Sequence, residues 1–386
     1  MKNYDVVIVG AGPAGVGISS MLKDIGIEKM IVLERNQVGD TFDKWPTEMR
    51  FITPSFTTNY WSHIDLNSIA SGTSPAFTLE TEHPTGKQYA KYLRLISKHF
   101  ELPIRENTDV EKVIYSKDHF ITQIKGGETI KSRFLIWAAG ELQYTNTEVF
   151  SGSELCIHNS QVESWKEIEG DQIYIIGGNE SGIDAAIHLS RLGKKTVVLE
   201  SNPDSNTKKR TTDPSENLSP YTIDRLEEEM PNERINIVDN AKITDVKLIN
   251  NKYHIHVNDE IFSDYKSKTP PILATGFESS LVMVKDLFDW DESKSYVLLN
   301  EHDESRKTPG LFLVGPQVRH EDLILCFIYK YRQRFGVVSK AIGERLEMDI
   351  EFLEEYRKEG LYLDCLLYTS DAADEGLGVD LGGRRI

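Results

Sequence analysis

The chain has 386 residues, enough for two domains with separate cores, and its 39% apolar, 27% charged and 9% aromatic content is that of a globular protein. With 44 Lys and Arg against 61 Asp and Glu, a formal charge of -17, the surface repels nucleic acid and anionic membrane, and no apolar run is long enough to span a bilayer. Cys156, Cys326 and Cys365 stand far apart, with no Cys-x-x-Cys pair and no metal-ligand spacing, so no metal site is expected; with no secretory signal after Met1, a cytoplasmic protein is expected.

The apolar, β-branched run Asp5 to Val9 predicts a strand buried on both faces. Gly10-Ala11-Gly12-Pro13-Ala14-Gly15 follows at once, and the apolar-rich stretch Val16 to Leu22 continues it as a helix. In this Gly-x-Gly-x-x-Gly pattern Gly10 permits the tight turn, Gly12 lets backbone approach a pyrophosphate, and Gly15 lets the helix pack on the strand. The helix N-terminus then offers unpaired N–H groups to the phosphates. A second strand, Met30 to Leu33, ends in Glu34, nineteen residues after Gly15, where a carboxylate accepts hydrogen bonds from ribose hydroxyls. Strand, glycines, helix, strand and acid in that order are more specific than the glycines alone. The alternative is a structural turn without a ligand, in which the acid has no reason to be there.

Residues 40 to 100 begin rich in Pro, Thr and Tyr and turn helical over Gly86 to Phe100; they interrupt the βαβ unit and could roof its pocket. The pattern then returns as Gln172 to Ile176, Gly177-Gly178-Asn179-Glu180-Ser181-Gly182, a helix over Ile183 to Leu192, a strand over Thr196 to Leu199, and Glu200 eighteen residues after Gly182. Asn179 stands where the second glycine belongs. Asn tolerates left-handed backbone better than most residues, so the turn survives; the alternative is a degenerate copy that binds no nucleotide. Two such units point to FAD in one and a nicotinamide nucleotide in the other, with the rings in contact for hydride transfer. Residues 203 to 220, with Asp213-Pro214 and Ser219-Pro220, read as a mobile loop where a lid would be useful, and Lys208-Lys209-Arg210 is either solvated or grips a cofactor phosphate. From Cys365 onward, Cys-Leu-Leu-Tyr-Thr-Ser back-translates to TGT CTC TTA TAC ACA TCT, the core of a transposon-end adapter used to prepare DNA sequencing libraries. Residues 365 to 386 are therefore expected to be non-native, the alternative being a Gly-rich flexible tail.

Over nearly all of residues 3 to 345 the chain resembles the flavoprotein group that includes class B flavin monooxygenases and bacillithiol-disulfide-reductase-like enzymes. Val38-Gly39-Asp40-Thr41-Phe42 resembles the group's Gly-Gly-Thr-Trp turn beside the flavin ring, and Arg50-Phe51-Ile52-Thr53-Pro54-Ser55 is similar to its Leu-His-Thr-Pro-Ser. His83-Pro84-Thr85-Gly86-Lys87-Gln88-Tyr89, leading to Leu102-Pro103-Ile104-Arg105, is a third match. Trp137-Ala138-Ala139-Gly140 and Leu273-Ala274-Thr275-Gly276-Phe277 resemble the paired crossings between the two domains, and each leads into a polar, loop-like segment. Thr308 to Gly315 resembles the strand ending at the flavin ribityl chain, where Gly315-Pro316 replaces the usual Gly-Asp. Tyr331-Arg332-Gln333 resembles the helix end that meets the flavin pyrimidine edge; the alternative is a basic face on solvent.

The resemblance implies an α/β fold of two Rossmann-like dinucleotide-binding domains, each of the three-layer ββα kind, with the NAD(P) domain inserted in a split FAD domain. Its boundaries would be 1 to 145 and 285 to 364 for FAD and 146 to 284 for NAD(P). Motif and resemblance together assign FAD to Gly10, Gly12, Pro13, Ala14, Gly15, Glu34, Arg35, Thr41, Phe42, Ala139, Gly140, Gly315 and Gln333. They assign NADPH or NADH to Gly177, Gly178, Asn179, Glu180, Ser181, Gly182, Glu200, Ser201, Thr275 and Gly276. Glu200 favours NADH, because a carboxylate repels a 2′-phosphate. Ser201, Lys208, Lys209 and Arg210 could cradle that phosphate, and the resembled family mostly uses NADPH, which tips the expectation slightly to NADPH.

A reduced flavin passes two electrons to a disulfide, to oxygen, to a quinone or to another protein, and the pocket decides which. Thioredoxin-reductase chemistry needs a Cys-x-x-Cys, and bacillithiol-linked relatives place a Cys in the first glycine loop, where this chain has Ala14. Cys326, within the apolar run Leu323 to Ile328, reads as structural before redox-active. Baeyer–Villiger enzymes carry Phe-x-Gly-x-x-x-His-x-x-x-Trp; here Phe150-Ser151-Gly152 precedes His158 and Trp165 at longer spacings, so His158 is either a hinge residue or a hydrogen-bonded structural histidine. Catalytic residues are thus unassigned, with His158 and Cys326 as weak candidates. The expectation is an NAD(P)H-dependent FAD oxidoreductase, monooxygenase-like, acting on a small organic substrate. The alternatives are a reductase of a low-molecular-weight or protein disulfide and a non-catalytic FAD/NAD(P) redox sensor. A small-molecule substrate or electron acceptor is the expected partner, with no nucleic acid and no membrane, and a homodimer is left open.

Overall fold

The computed structural model describes residues 2–56, 64–202, 215, 217–258, 264–293 and 295–364. Lys208, Lys209, Arg210, most of the expected lid and the adapter-like tail lie outside the described residues. Each glycine loop leaves the C-terminal end of a strand in a parallel sheet. The first sheet runs in the order Ile104–Arg105, Met30–Leu33, Lys2–Val9, Thr129–Trp137, with Leu311–Leu313 beyond, all parallel. Thr129–Trp137 divides its outer edge. Residues 129–132 pair antiparallel with His119–Ile124, which pairs with Val110–Ser116, while residues 135–137 pair with Leu311–Leu313. A three-stranded antiparallel layer thus grows from the parallel one. Val6, Val7, Ile8, Leu135 and Ile136 are fully buried, which is why these strands read as unbroken apolar runs.

The second unit repeats the plan. Its parallel order is Ile235–Val238, Lys195–Leu199, Gln172–Ile176, Ile272–Leu273, Ile157–His158, beside an antiparallel sheet of Ile243–Ile249, Lys252–Val257 and Asp264–Ser267. The edge strand Leu311–Leu313 of the first sheet follows the whole second unit in sequence, so the second unit is inserted in a split first one. The two crossings meet as a small joint. Tyr144–Thr145 pairs antiparallel with Phe277–Glu278, Asn146 N–H donates to Gly276 O at 3.0 Å, and Thr275 Oγ1 donates to Asn146 O at 2.6 Å.

The helix Gly86–His99 begins at a capping box in which Thr85 and Gln88 each accept from the other's backbone N–H, at 3.1 and 2.9 Å. It turns Tyr89, Tyr92, Leu93 and Ile96 into the first core. Among the described residues no helix is long and apolar enough to cross a membrane, and no cluster of ligating side chains could hold a metal ion.

Candidate dinucleotide sites

Gly10 leaves the first strand at φ +102°, where any side chain is strained, and a Cβ there would stand 2.5 Å from Ala138 O. A Cβ at Gly15 would stand 1.9 Å from Gly10 O, so the helix Pro13–Asp24 is locked against the loop. Gly12 differs: its backbone is extended and an added Cβ meets nothing within 4 Å. The room it leaves is open cavity at a helix start that no side chain caps, so backbone donors and the positive end of the helix dipole face it. Glu34 sits beside this loop, its Oε2 accepting from Ala11 N–H at 2.8 Å and its Oε1 from Asn36 N–H at 2.9 Å. Burial raises its pKa against the pull of those two bonds.

A cavity of about 480 Å³ opens over the loop. Of the residues assigned to FAD from sequence, Gly10, Gly12, Pro13, Ala14, Glu34, Arg35, Thr41, Phe42, Ala139 and Gly140 line it. Gly15, Gly315 and Gln333 do not. Gly15 lies behind the loop, the Cβ position of Gly315 faces Ala14 at 3.1 Å while Pro316 takes the wall, and Gln333 is buried with its Oε1 unpaired. Its neighbour Tyr331 reaches the cavity instead. The Tyr331-Arg332-Gln333 segment is no solvated basic face. Arg332 is buried, donates to the carbonyls of Asp65 and Ser68, and has its pKa lowered to about 10 by that burial. One wall is aromatic, with Phe42 stacked on Phe51 at 5.4 Å and Trp45 5.2 Å from Phe51.

The second loop repeats the first: a Cβ at Gly177 would stand 2.4 Å from Ala274 O, and one at Gly182 1.9 Å from Gly177 O. Asn179 has φ −86° and ψ −171°, close to the −80° and −169° of Gly12, so the left-handed tolerance expected of Asn is not used. A second cavity, of about 690 Å³, is lined by Gly177, Asn179, Glu180, Ser181, Glu200, Ser201, Thr275 and Gly276; Gly178 and Gly182 stand outside its lining.

Glu180, Ser181, Cys326 and Phe327 line both cavities. Glu180 accepts from Thr222 Oγ1 at 2.7 Å and from Ser219 N–H, and burial raises its pKa. Cys326, expected to be buried structure, is half-buried at this junction, its Sγ 3.1 Å from Ser215 Oγ. Contacts that no sequence motif signals hold the two units here. Thr47 N–H donates to Glu163 O at 2.9 Å, and the Glu48 carboxylate accepts from Ser164 Oγ at 2.7 Å and Trp165 N–H at 3.1 Å. His83 stacks on Tyr221 at 3.8 Å, and Arg225 lies over the same ring while pairing with Asp184 at 2.7 Å. Asp184, from the second unit, lines the first cavity, with its Oδ2 unpaired.

His158 lines neither cavity. It is buried, its Nδ1 2.8 Å from Ser160 Oγ and its Nε2 3.0 Å from Gly276 O, and burial lowers its pKa. It braces one crossing of the joint.

Residues 7–315 match the family described as pyridine nucleotide-disulphide oxidoreductase. The uncharacterized oxidoreductase CzcO of Bacillus subtilis is 26% identical over 194 residues, 49% of this chain and 52% of that protein. The chain thus spans about half the length of the first curated relatives it matches. The fold is similar to the bacillithiol disulfide reductase Bdr from Staphylococcus aureus, with TM-score 0.73 and 21% identity, covering 89% of this chain and 99% of that one. It is also similar to a flavin-containing monooxygenase from Stenotrophomonas maltophilia, with TM-score 0.65 and 16% identity over 92% and 99% of the two chains. The chain belongs to the pyridine nucleotide-disulphide oxidoreductase family, whose members are enzymes that use FAD and NAD(P)H.

Proposed function

We propose that this chain is an FAD-dependent oxidoreductase that takes FAD in the first cavity and NAD(P)H in the second, and passes hydride from nicotinamide to flavin at their junction. The observation that carries this is the shared wall: Glu180, Ser181, Cys326 and Phe327 belong to both cavities, so ligands filling the two would touch. The residues fit the cofactor. Gly12 leaves room for a pyrophosphate, the uncapped helix start supplies donors, and Glu34 stands where a ribose hydroxyl needs an acceptor. Once bound, FAD supplies the two-electron chemistry. On the same reading the joints between units fall at 145/146, directly after the crossing strand Tyr144–Thr145, and at 284/285, a short way past Phe277–Glu278, although Leu281 and Val284 before the second joint pack in the first core.

For the electron acceptor we take oxygen with a small organic substrate, a monooxygenase-like reaction. Ala14 in the first loop supports this, as do the apolar side chains of Met49, Ile52, Met283 and Ile328, which shield part of the cavity from water. Glu48 and His83, which hold the nicotinamide unit against the flavin cavity, support it too. A second reading, reduction of a disulfide, is favoured by one observation, the position of Cys326 at the junction.

The test is sequential mixing. Protein loaded with FAD is reduced anaerobically by NADH or NADPH, followed as loss of the yellow flavin band, then mixed either with oxygen or with a low-molecular-weight disulfide. Reoxidation by oxygen, with the disulfide inert, is the expected result. Turnover with the disulfide replaces it by the second reading, and a protein that takes up no FAD removes both.

A further inference from the structure

We propose that Glu141 enters the FAD complex as a neutral carboxylic acid and, with the hydroxyl of Tyr331, donates hydrogen bonds into the first cavity, so that binding FAD takes up a proton. The inference rests on the two-cavity reading above and assigns two residues within it. Glu141 follows Gly140 directly on the first crossing, and both it and Tyr331 line the cavity. Glu141 is half-buried and makes no hydrogen bond or ion pair among the described residues. Tyr331 is 4% exposed, and its hydroxyl likewise has no partner among them. Burial raises the Tyr331 pKa and the charge of Glu141 raises it further, which places the two groups near each other. The other carboxyls of this wall are differently held. Glu34 and Glu180, whose pKa values burial also raises, each accept two hydrogen bonds, Asp40 pairs with Lys44, and Asp184 pairs with Arg225. Asp109, Tyr144 and Cys326 are the remaining titratable groups lining it.

A carboxyl enclosed without a donor or a cation keeps its proton, because burial penalises the charged form. Burial alone already raises the Glu141 pKa. The two cations on this wall do not offset it. Arg50 donates to the carbonyls of Thr47, Glu48 and Met49 at 2.9–3.1 Å, and Arg35 is exposed. FAD brings two negative phosphate charges into the same cavity and removes water from its walls, and both effects favour the neutral acid. Neutral, Glu141 offers an O–H, as Tyr331 does, to a ligand rich in phosphate and ring-carbonyl acceptors.

The test is isothermal titration of the apoprotein with FAD between pH 6 and pH 8, in two buffers of different ionisation enthalpy, which counts protons exchanged. Glu141 holds its proton more tightly in the complex than in the free protein. FAD affinity is therefore full below the free-protein pKa and is lost as pH rises through it. The expected result is net proton uptake and a Kd that rises at least about tenfold across the range. Glu141→Gln places an uncharged donor at the same point. It should flatten the pH dependence and bind FAD more tightly than wild type at pH 8, a gain that a misfolded variant cannot produce. Tyr331→Phe should weaken FAD binding severalfold at every pH. Absence of proton uptake, or a pH dependence unchanged in Glu141→Gln, overturns the assignment while the FAD site stands, and unchanged affinity in Tyr331→Phe removes Tyr331 from it. A protein that binds no FAD at any pH overturns the two-cavity reading and this inference with it.

Discussion

Two glycines in one loop are expected to fail in opposite ways when each is replaced by alanine. At Gly12 the backbone, φ −80° and ψ −169°, is one an alanine adopts freely, and its Cβ would meet nothing within 4 Å. The cost to the unliganded fold is then that of alanine in place of glycine before a helix, on the order of 1 kcal/mol or less. If the open space is where the pyrophosphate lies, the same methyl group intrudes on a close contact, at about 1–3 kcal/mol. Taking about 2 kcal/mol, FAD binding should weaken roughly 30-fold. At Gly15 the Cβ would stand 1.9 Å from Gly10 O, against the 3.4 Å of ordinary contact, so helix or loop must move by about 1.5 Å. Both obstacles are backbone, and the unliganded fold should lose about 3 kcal/mol or more. Urea midpoints of the apoprotein read the first quantity, and titration of flavin fluorescence reads the second. The reasoning is refuted if Gly12→Ala leaves FAD affinity unchanged, or if it destabilises the apoprotein as much as Gly15→Ala does.

Glu48→Ala removes an acceptor of two bonds between the units on a half-exposed side chain, together worth about 1–2 kcal/mol. It should slow flavin reduction by NAD(P)H severalfold at unchanged FAD content, which stopped-flow absorbance measures. Burial alone would raise the Glu48 pKa, but the bonds from Ser164 and Trp165 outweigh it and hold the carboxyl below its ordinary 4.5. The contribution of these bonds to stability is therefore full above about pH 4.5 and lost as pH falls through the lower folded value, so urea midpoints of wild type and Glu48→Ala should converge in acid. Cys326→Ser should change flavin reduction and oxygen consumption by less than about twofold if the monooxygenase-like reading holds. Collapse of both rates would move the chemistry onto the thiol.

Much of the fold was legible because its signals are local. The strand over Met30–Leu33 and its terminal acid follow from a short apolar run, and the helix Gly86–His99 falls where the sequence turned helical, over Gly86 to Phe100. The glycine loops were legible for the same reason. What the chain could not announce is which residues meet across the units. Glu48 and Asp184 belong to no motif, and their positions depend on how two separately folded sheets are docked. Gln333 shows the limit of segment likeness: the likeness singled out the segment Tyr331-Arg332-Gln333, yet Tyr331 rather than Gln333 lines the cavity. Asn179 shows the limit of residue-type reasoning, since the unusual backbone belongs to Gly177 and position 179 is extended with any occupant.

The named contacts between the units are few and individually small, and the proposed function requires that they can be broken. The contacts named above are a few hydrogen bonds, each worth about 1 kcal/mol net, and one aromatic stack of similar size. That is small beside the two cores, whose Trp137 and Trp165 are fully buried. If the proposed function holds, such an interface would be closed at rest and would have to open for a nucleotide to enter and leave beside Cys326 and Phe327, which line both cavities. The joint is built for it. Gly140 and Gly276, one on each crossing, have φ +70° and +77°, and a Cβ at either would meet nothing within 4 Å. Side chains leave both positions open, and the contacts there go to their carbonyls, from Ser280 Oγ at Gly140 and from Asn146 N–H and His158 Nε2 at Gly276, so backbone rotation at these two glycines costs a few hydrogen bonds. Replacing both by alanine imposes left-handed backbone on residues with a Cβ, about 1–2 kcal/mol each, and biases the joint away from this closed arrangement. Flavin reduction should slow severalfold while each cavity still binds its own cofactor. Unchanged reduction kinetics in the double variant would mean that the units move about some other axis.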